Sequence, residues 1–202
     1  MSLWLAAVPL VLASKSAVRR ALLEAAGIPI EVRPADIDER AVEADAKAGG
    51  PEAAAVLLAC KKALAVARHL PSRLVLGADQ TLVFGSQRFS KPTDRNAAAE
   101  QLRALRGRTH ELHSALALAR DGKVMFEHHD MARLTMRSFS DEFLQDYLDA
   151  AGEAVAASVG GYQLEGPGIQ LFERIEGDYF TILGLPLLPV LGFLRRENLL
   201  SA

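Results

Sequence analysis

The chain has 202 residues and a mass of 21.8 kDa, enough for one large domain or two small lobes around a substantial core. Half of the residues are apolar and 24% are charged, which excludes a disordered, collagen-like or disulfide-scaffold chain; the single cysteine, Cys60, makes no internal disulfide and fits a reducing compartment. With 23 Lys+Arg against 25 Asp+Glu the net charge is −2, so no basic excess drives binding to a nucleic-acid backbone and any phosphate recognition is local.

Residues 3–12 form a continuous apolar run that reads as a strand buried on both faces, and the run lacks the basic start of a secretory signal. The spacing of Val18, Leu22, Leu23 and Ala26 predicts a helix over 17–26, ended by Gly27 where a left-handed cap belongs; 28–32 reads as a second strand, followed by the acidic patch Asp36, Asp38 and Glu39. Pro51 starts a long helix over 52–69, stopped by Pro71, and 73–84 predicts a strand interrupted by Asp79-Gln80-Thr81. Asp94 reads as the N-cap of a helix over 95–105. A hairpin turning through Asp121-Gly122 then joins strands over 109–119 and 124–137. Ser140 caps a helix to Ala151, and 158–168, with Gly160, Gly161, Gly166, Pro167 and Gly168, reads as a loop of tight backbone geometry. Strands over 169–173 and 179–183 and a closing helix over 186–195 complete the chain. The apolar run over 179–194 is broken by Gly184, Pro186, Pro189 and Gly192 and falls short of the roughly 20 residues that span a bilayer. Strands alternating with helices predict an α/β fold, and the hairpin predicts a mixed sheet.

Ser14-Lys15-Ser16 with Arg19 and Arg20 lies where the first strand gives way to the first helix, and free N–H groups with the helix dipole there favour an anion. Ser16 reads equally as an ordinary cap. Neither GxxxxGK[ST] nor GxGxxG is present, which argues against a P-loop or a dinucleotide site. Asp79 follows the apolar run 74–78 and so emerges near the carboxyl end of a strand, where ligands bind in open α/β sheets; it suits Mg²⁺ ligation or general-base work on water, or the plainer task of capping a turn. Lys91 can return an ammonium toward it after a hairpin. The acidic patch offers an oxygen-rich cation site or a solvated loop. His110 and His113 fall on a predicted strand with opposite facing, which argues against zinc, and Cys60 reads as a small packed hydrophobe.

In their order along the chain these signals resemble the Maf proteins, nucleoside triphosphate pyrophosphatases. LASKSAVRRALLEAAGI at 12–28 resembles the family's opening LASxSPRRxxLL motif, and DIDE at 36–39 its acidic signature. VLGADQTLVFGSQRFSKP at 75–92 resembles the GxDxxV…KP block, and GGYQLEGPG with IEGDYFTILGLPL resembles the closing AGxYxxxG and GLPL blocks. The resemblance implies a twisted mixed sheet with helices on both sides, elongated, with a cleft between two lobes in a single domain over 1–202. It implies Asp79 as the carboxylate that takes a proton from water, with Lys91 as a second catalytic residue. Ser14, Ser16 and Arg19 match phosphate-binding positions, and Glu39 and Lys62 match further active-site positions, with Glu39 and Asp79 as metal carboxylates. The implied cofactor is a divalent cation, Mg²⁺ before Mn²⁺ or Co²⁺. The implied partner is a nucleoside triphosphate, with no nucleic acid and no membrane; a homodimer and a cytoplasmic location fit the family.

The family's SPRR is here Ser16-Ala17-Val18-Arg19, lacking the proline and the first arginine. Gln80 stands where dTTP/UTP-type members carry threonine, and Glu165 where they carry glutamine, so both resemble the subgroup that cleaves 7-methyl-GTP. A carboxylate at 165 can accept from N1–H and the exocyclic amine of guanine. That subgroup, however, places an aromatic residue at the position of Val18. The dTTP/UTP-type activity, a nucleotide-binding regulator of cell division without turnover, and a phosphatase releasing orthophosphate are the alternatives.

Overall fold

The structure, a computed structural model, describes residues 3–45 and 49–201. They form two compact units, one of Met1–Gln80, Ser114–Asp130 and Tyr179–Ala202, the other of Thr81–His113 and Met131–Asp178. Among the described residues seven strands make one mixed sheet in the order β2-β1-β3-β5-β6-β7, with β4 also on β3: β1 Leu10–Leu12, β2 Ile30–Val32, β3 Val75–Phe84, β4 Gln87–Phe89, β5 Thr109–Arg120, β6 Lys123–Met136 and β7 Phe172–Glu176. β1 pairs parallel with β2 and β3, whereas β4 runs antiparallel on β3 and β7 antiparallel on β6.

In the first unit β1 is buried on both faces, and alternate residues serve opposite cores. Leu10 and Leu12 pack with Leu76, Leu116, Leu23 of α1 (Ala17–Ala25) and Val190 and Leu194 of the C-terminal helix (Leu187–Arg196). Val11, Ala13 and Val75 pack instead with Ala55, Ala59 and Ala63 of the long helix (Gly50–Ala67), whose small residues admit a close approach to the sheet. Between them lies α2 (Glu39–Asp45), so the long helix is α3; Asp38 Oδ1 accepts from Ala41 N at 3.1 Å and caps the start of α2.

The second unit holds α4 (Arg95–Leu105), capped by Asp94 on Ala97 N at 2.9 Å, and α5 (Asp141–Ala151), capped by Ser140 on Phe143 N at 3.1 Å. Single 3₁₀ turns over Gly152–Ala156, Val159–Gly161 and Pro167–Leu171 carry the glycine-rich segment. Tyr147 Oη donates to Gly161 O at 3.0 Å, and Tyr162 Oη lies 2.7 Å from His110 Nε2.

Several sequence expectations need correction. The first strand is Leu10–Leu12, not 3–12: Leu3, Leu5 and Val8 are exposed, and Pro9 supplies no N–H to a ladder. β3 is continuous through Asp79-Gln80-Thr81; its pairing with β1 ends at Leu76 and β4 takes over at Leu82, so Asp79 follows the parallel ladder without ending the strand. Residues 169–171 belong to a 3₁₀ turn begun by Pro167, and the strand starts at Phe172. Residues 179–182 form a short helix, α6 (Tyr179–Ile182), because Gly184 N closes on Thr181 O at 3.0 Å and Leu185 N on Phe180 O at 3.0 Å, the pattern of a glycine C-cap; the C-terminal helix is therefore α7. No described helix is long and apolar enough to cross a membrane.

Candidate active site

Asp79 sits on β3 with its side chain 12% exposed, and Lys62 reaches it from α3: Nζ lies 2.7 Å from Asp79 Oδ1 and 2.8 Å from Oε1 of Glu39, the first residue of α2. Glu39 is more than half exposed, so the ammonium bridges a buried carboxylate to a wet one. Burial pushes the Asp79 carboxyl above the usual aspartate range, with Lys62 and Arg19 pulling against that rise. Glu39 is the member of the acidic patch that joins the pair; Asp38 spends its carboxylate on the α2 cap.

Arg19 is buried one turn into α1. Its Nε donates to Gly184 O at 2.8 Å, and its Nη1 donates to Ala78 O at 2.8 Å and Ser14 Oγ at 3.2 Å. Burial pulls the guanidinium below its ordinary pKa, opposed by Asp79 and Glu39. Ser16 caps α1 by accepting from Arg19 N at 3.3 Å, while Ser14 Oγ also accepts from Ser16 N at 3.2 Å. Gln80 turns its amide inward, Nε2 donating to Ile182 O at 2.9 Å, Ser114 Oγ at 3.0 Å and Thr181 O at 3.2 Å. Two carboxylates, two cations and two hydroxyls thus meet in the first unit, where they can hold phosphate oxygens, coordinate a hard cation and take a proton from water.

The family description "Maf-like protein" matches residues 9–197. The chain belongs to the Maf family. It is 57% identical over 201 residues to a protein of Rhodopseudomonas palustris (strain HaA2) called nucleoside triphosphate pyrophosphatase, with all of both chains covered. It is 53% identical to a 7-methyl-GTP pyrophosphatase of Brucella abortus biovar 1 (strain 9-941), covering 95% of this chain and 97% of that one. Among solved structures, a HAM1 protein from Coxiella burnetii aligns with a TM-score of 0.43 at 17% identity, over 64% of this chain and 73% of that chain.

This Maf chain brings Ser14, Ser16, Arg19, Glu39, Lys62, Asp79 and Gln80 together in the first unit. Val18 is half-buried on α1, on the turn that carries Arg19. Lys91, exposed beyond β4, and Glu165, exposed on the glycine-rich segment, belong to the second unit. Sequence reasoning gave no role to Gly184, Ser114 or Thr181. The GLPL block contained the first, but what Arg19 uses is a backbone carbonyl, which leaves no side-chain signature.

Proposed function

We propose that this chain hydrolyses a nucleoside triphosphate to the monophosphate and pyrophosphate, with 7-methyl-GTP the substrate favoured among the triphosphates. The observation that carries the reaction is the Lys62 bridge: it holds a buried carboxylate by one oxygen and leaves Asp79 Oδ2 to accept a proton from water. That water attacks the α-phosphorus, the bond from it to the bridging oxygen breaks, and pyrophosphate leaves with the electron pair. Arg19, held at three points, presents fixed positive charge to the triphosphate, and Lys62 offsets charge as it builds. The match of Lys91-Pro92 to the family's KP block is what supports Lys91 as a further catalytic cation.

Asp79 and Glu39 converge on one ammonium and offer hard oxygen donors, which fits Mg²⁺, whose sites use one or two carboxylates and fill the rest with water and substrate phosphates. Among the described residues no group of three His, Cys, Asp or Glu side chains surrounds a point. Bound there, a divalent cation (Mg²⁺, or Mn²⁺ or Co²⁺ in its place) polarises the phosphoryl oxygens.

Glu165 supports the guanine assignment, since a carboxylate accepts two hydrogen bonds that a pyrimidine cannot donate. The name of the Brucella relative agrees with it. The single-domain chain acts in the cytoplasm, as a homodimer or alone, and takes no nucleic acid. The test is Mg²⁺-dependent turnover of GTP, 7-methyl-GTP, dTTP, UTP, CTP and ITP with pyrophosphate and orthophosphate quantified separately. Pyrophosphate with a preference for 7-methyl-GTP supports the whole reading, pyrimidine preference overturns the base, and orthophosphate or no turnover overturns the reaction.

A further inference from the structure

We propose that Tyr147 and Ser158 are positioning residues for base selection, acting through the backbone that carries Glu165; this rests on the guanine reading of Glu165 above. Glu165 is exposed, and it stands between the buried Tyr162 and Gly168. Where the chain enters this segment, two successive backbone carbonyls are each held by a side-chain hydroxyl: Tyr147 Oη donates to Gly161 O at 3.0 Å, and Ser158 Oγ donates to Tyr162 O. Among the described residues no other donor reaches either carbonyl. The two peptide planes before Gln163 are thus fixed in orientation. Tyr162 is also fixed by its own ring, edge-on to Phe172 with centroids 4.9 Å apart and with Oη 2.7 Å from His110 Nε2.

The exit is held in the same way. Arg137 Nε donates to Gln170 O at 2.7 Å and Arg137 N to Leu171 O at 2.9 Å, and the Arg137 guanidinium lies 4.1 Å over the Phe143 ring. Phe143 and Tyr147 are one turn apart on α5, so a single helix face supports both ends of the segment. Between those ends the loop closes on itself: Gly166 N donates to Gln163 O at 3.3 Å, and a Cβ on Gly168 would stand 2.4 Å from that same oxygen, so the bare glycine lies on the Gln163 backbone. This frame sets where the Glu165 carboxylate can reach, and a pair of hydrogen bonds to one base edge tolerates little displacement of their acceptor. Loss of either hydroxyl leaves a backbone carbonyl without its donor and frees a peptide plane at the loop's entry.

The test compares wild type with Tyr147→Phe and Ser158→Ala, each of which removes one hydroxyl and little else. It measures kcat/KM for GTP, 7-methyl-GTP, dTTP and UTP and, by direct titration, the binding of GMP, 7-methyl-GMP, UMP and inorganic tripolyphosphate, the last having no base. The expected result is a guanine-over-pyrimidine preference lowered about three- to tenfold in both variants, in kcat/KM and in monophosphate binding, with the tripolyphosphate constant unchanged. In a Glu165→Gln background either substitution lowers the preference little further. A loss shared equally by tripolyphosphate and every nucleotide, which is what a merely structural role produces, overturns the proposal. So does full additivity with Glu165→Gln, or an unchanged preference where Glu165→Gln alone lowers it. If Tyr147→Phe does not fold, Ser158→Ala decides by the same criteria. If Glu165→Gln alone leaves the preference unchanged, the guanine reading and this proposal fall together. If wild type binds the monophosphates yet cleaves no triphosphate, the pyrophosphatase reading fails while monophosphate binding still decides the role of the two hydroxyls.

Discussion

Gly77 of β3 lies against Ala63 of α3 so closely that a Cβ on the glycine would stand 2.6 Å from the Ala63 nitrogen, and it would also collide with the Ala59 carbonyl oxygen. Lys62 immediately precedes this contact on the helix and Asp79 follows it by two residues on the strand. The distance at which helix and strand pack therefore sets the distance at which ammonium and carboxylate meet.

Gly77→Ala is expected to push α3 outward. Backbone atoms cannot swing aside as the end of a side chain can, so the cost is about 1–3 kcal/mol or more, as for other overpacked cores. Urea unfolding measures that loss, and turnover is expected to fall further than the loss of folded protein explains. Unchanged midpoint and activity would remove the packing argument.

Asp79→Asn separates the fold from the chemistry. The amide keeps the shape and removes a buried negative charge, and Lys62 retains Glu39, so the melting temperature should hold or rise slightly. Turnover should fall by roughly 10²–10⁴, the range for a lost general base. Near-normal turnover would take Asp79 out of its assigned role.

The parts of this fold that the sequence announced are those with local signatures. Asp94 and Ser140 cap the helices that the sequence predicts them to cap, and Asp121-Gly122 turns the hairpin with both residues at positive φ. The misreadings share a cause: a short apolar run carries no period. Residues 3–9 and 179–182 looked like strands, yet the first is broken by Pro9 and the second is wound into a helix by the Gly184 cap. At the site, Lys62 was singled out by family resemblance alone, and its meeting with Asp79 and Glu39 had no spacing to announce it, because the three come from a strand and two helices that only the fold brings together. The Gly184 and Ala78 carbonyls that hold Arg19 were invisible for a different reason, since any residue type supplies a carbonyl.

Glu165→Gln tests the base assignment. Glutamine keeps one acceptor and turns the other into a donor, which opposes the N1–H or the amine of guanine. The ratio of kcat/KM for guanine over pyrimidine nucleotides is expected to fall about tenfold or more, while inorganic tripolyphosphate binds as before. An unchanged ratio would remove Glu165 from base recognition.

His110 gives the second unit an acid-sensitive anchor. It is buried on β5 with Nε2 against Tyr162 Oη at 2.7 Å and Nδ1 without a hydrogen-bond partner among the described residues, and burial lowers its pKa to about 4. In the unfolded chain the imidazole titrates near 6.5, so between these values the unfolded state binds the extra proton. The contribution of this residue is therefore fully present above pH 6.5 and is lost as pH falls toward 4, by at most roughly 3 kcal/mol. Melting temperatures measured from pH 7.5 to 4.5 should decline for the wild type more steeply than for His110→Gln, which has nothing to titrate at that position. The two curves should converge at low pH even if the variant starts lower at pH 7.5. Parallel curves across the range would mean that the buried imidazole is not what acid attacks.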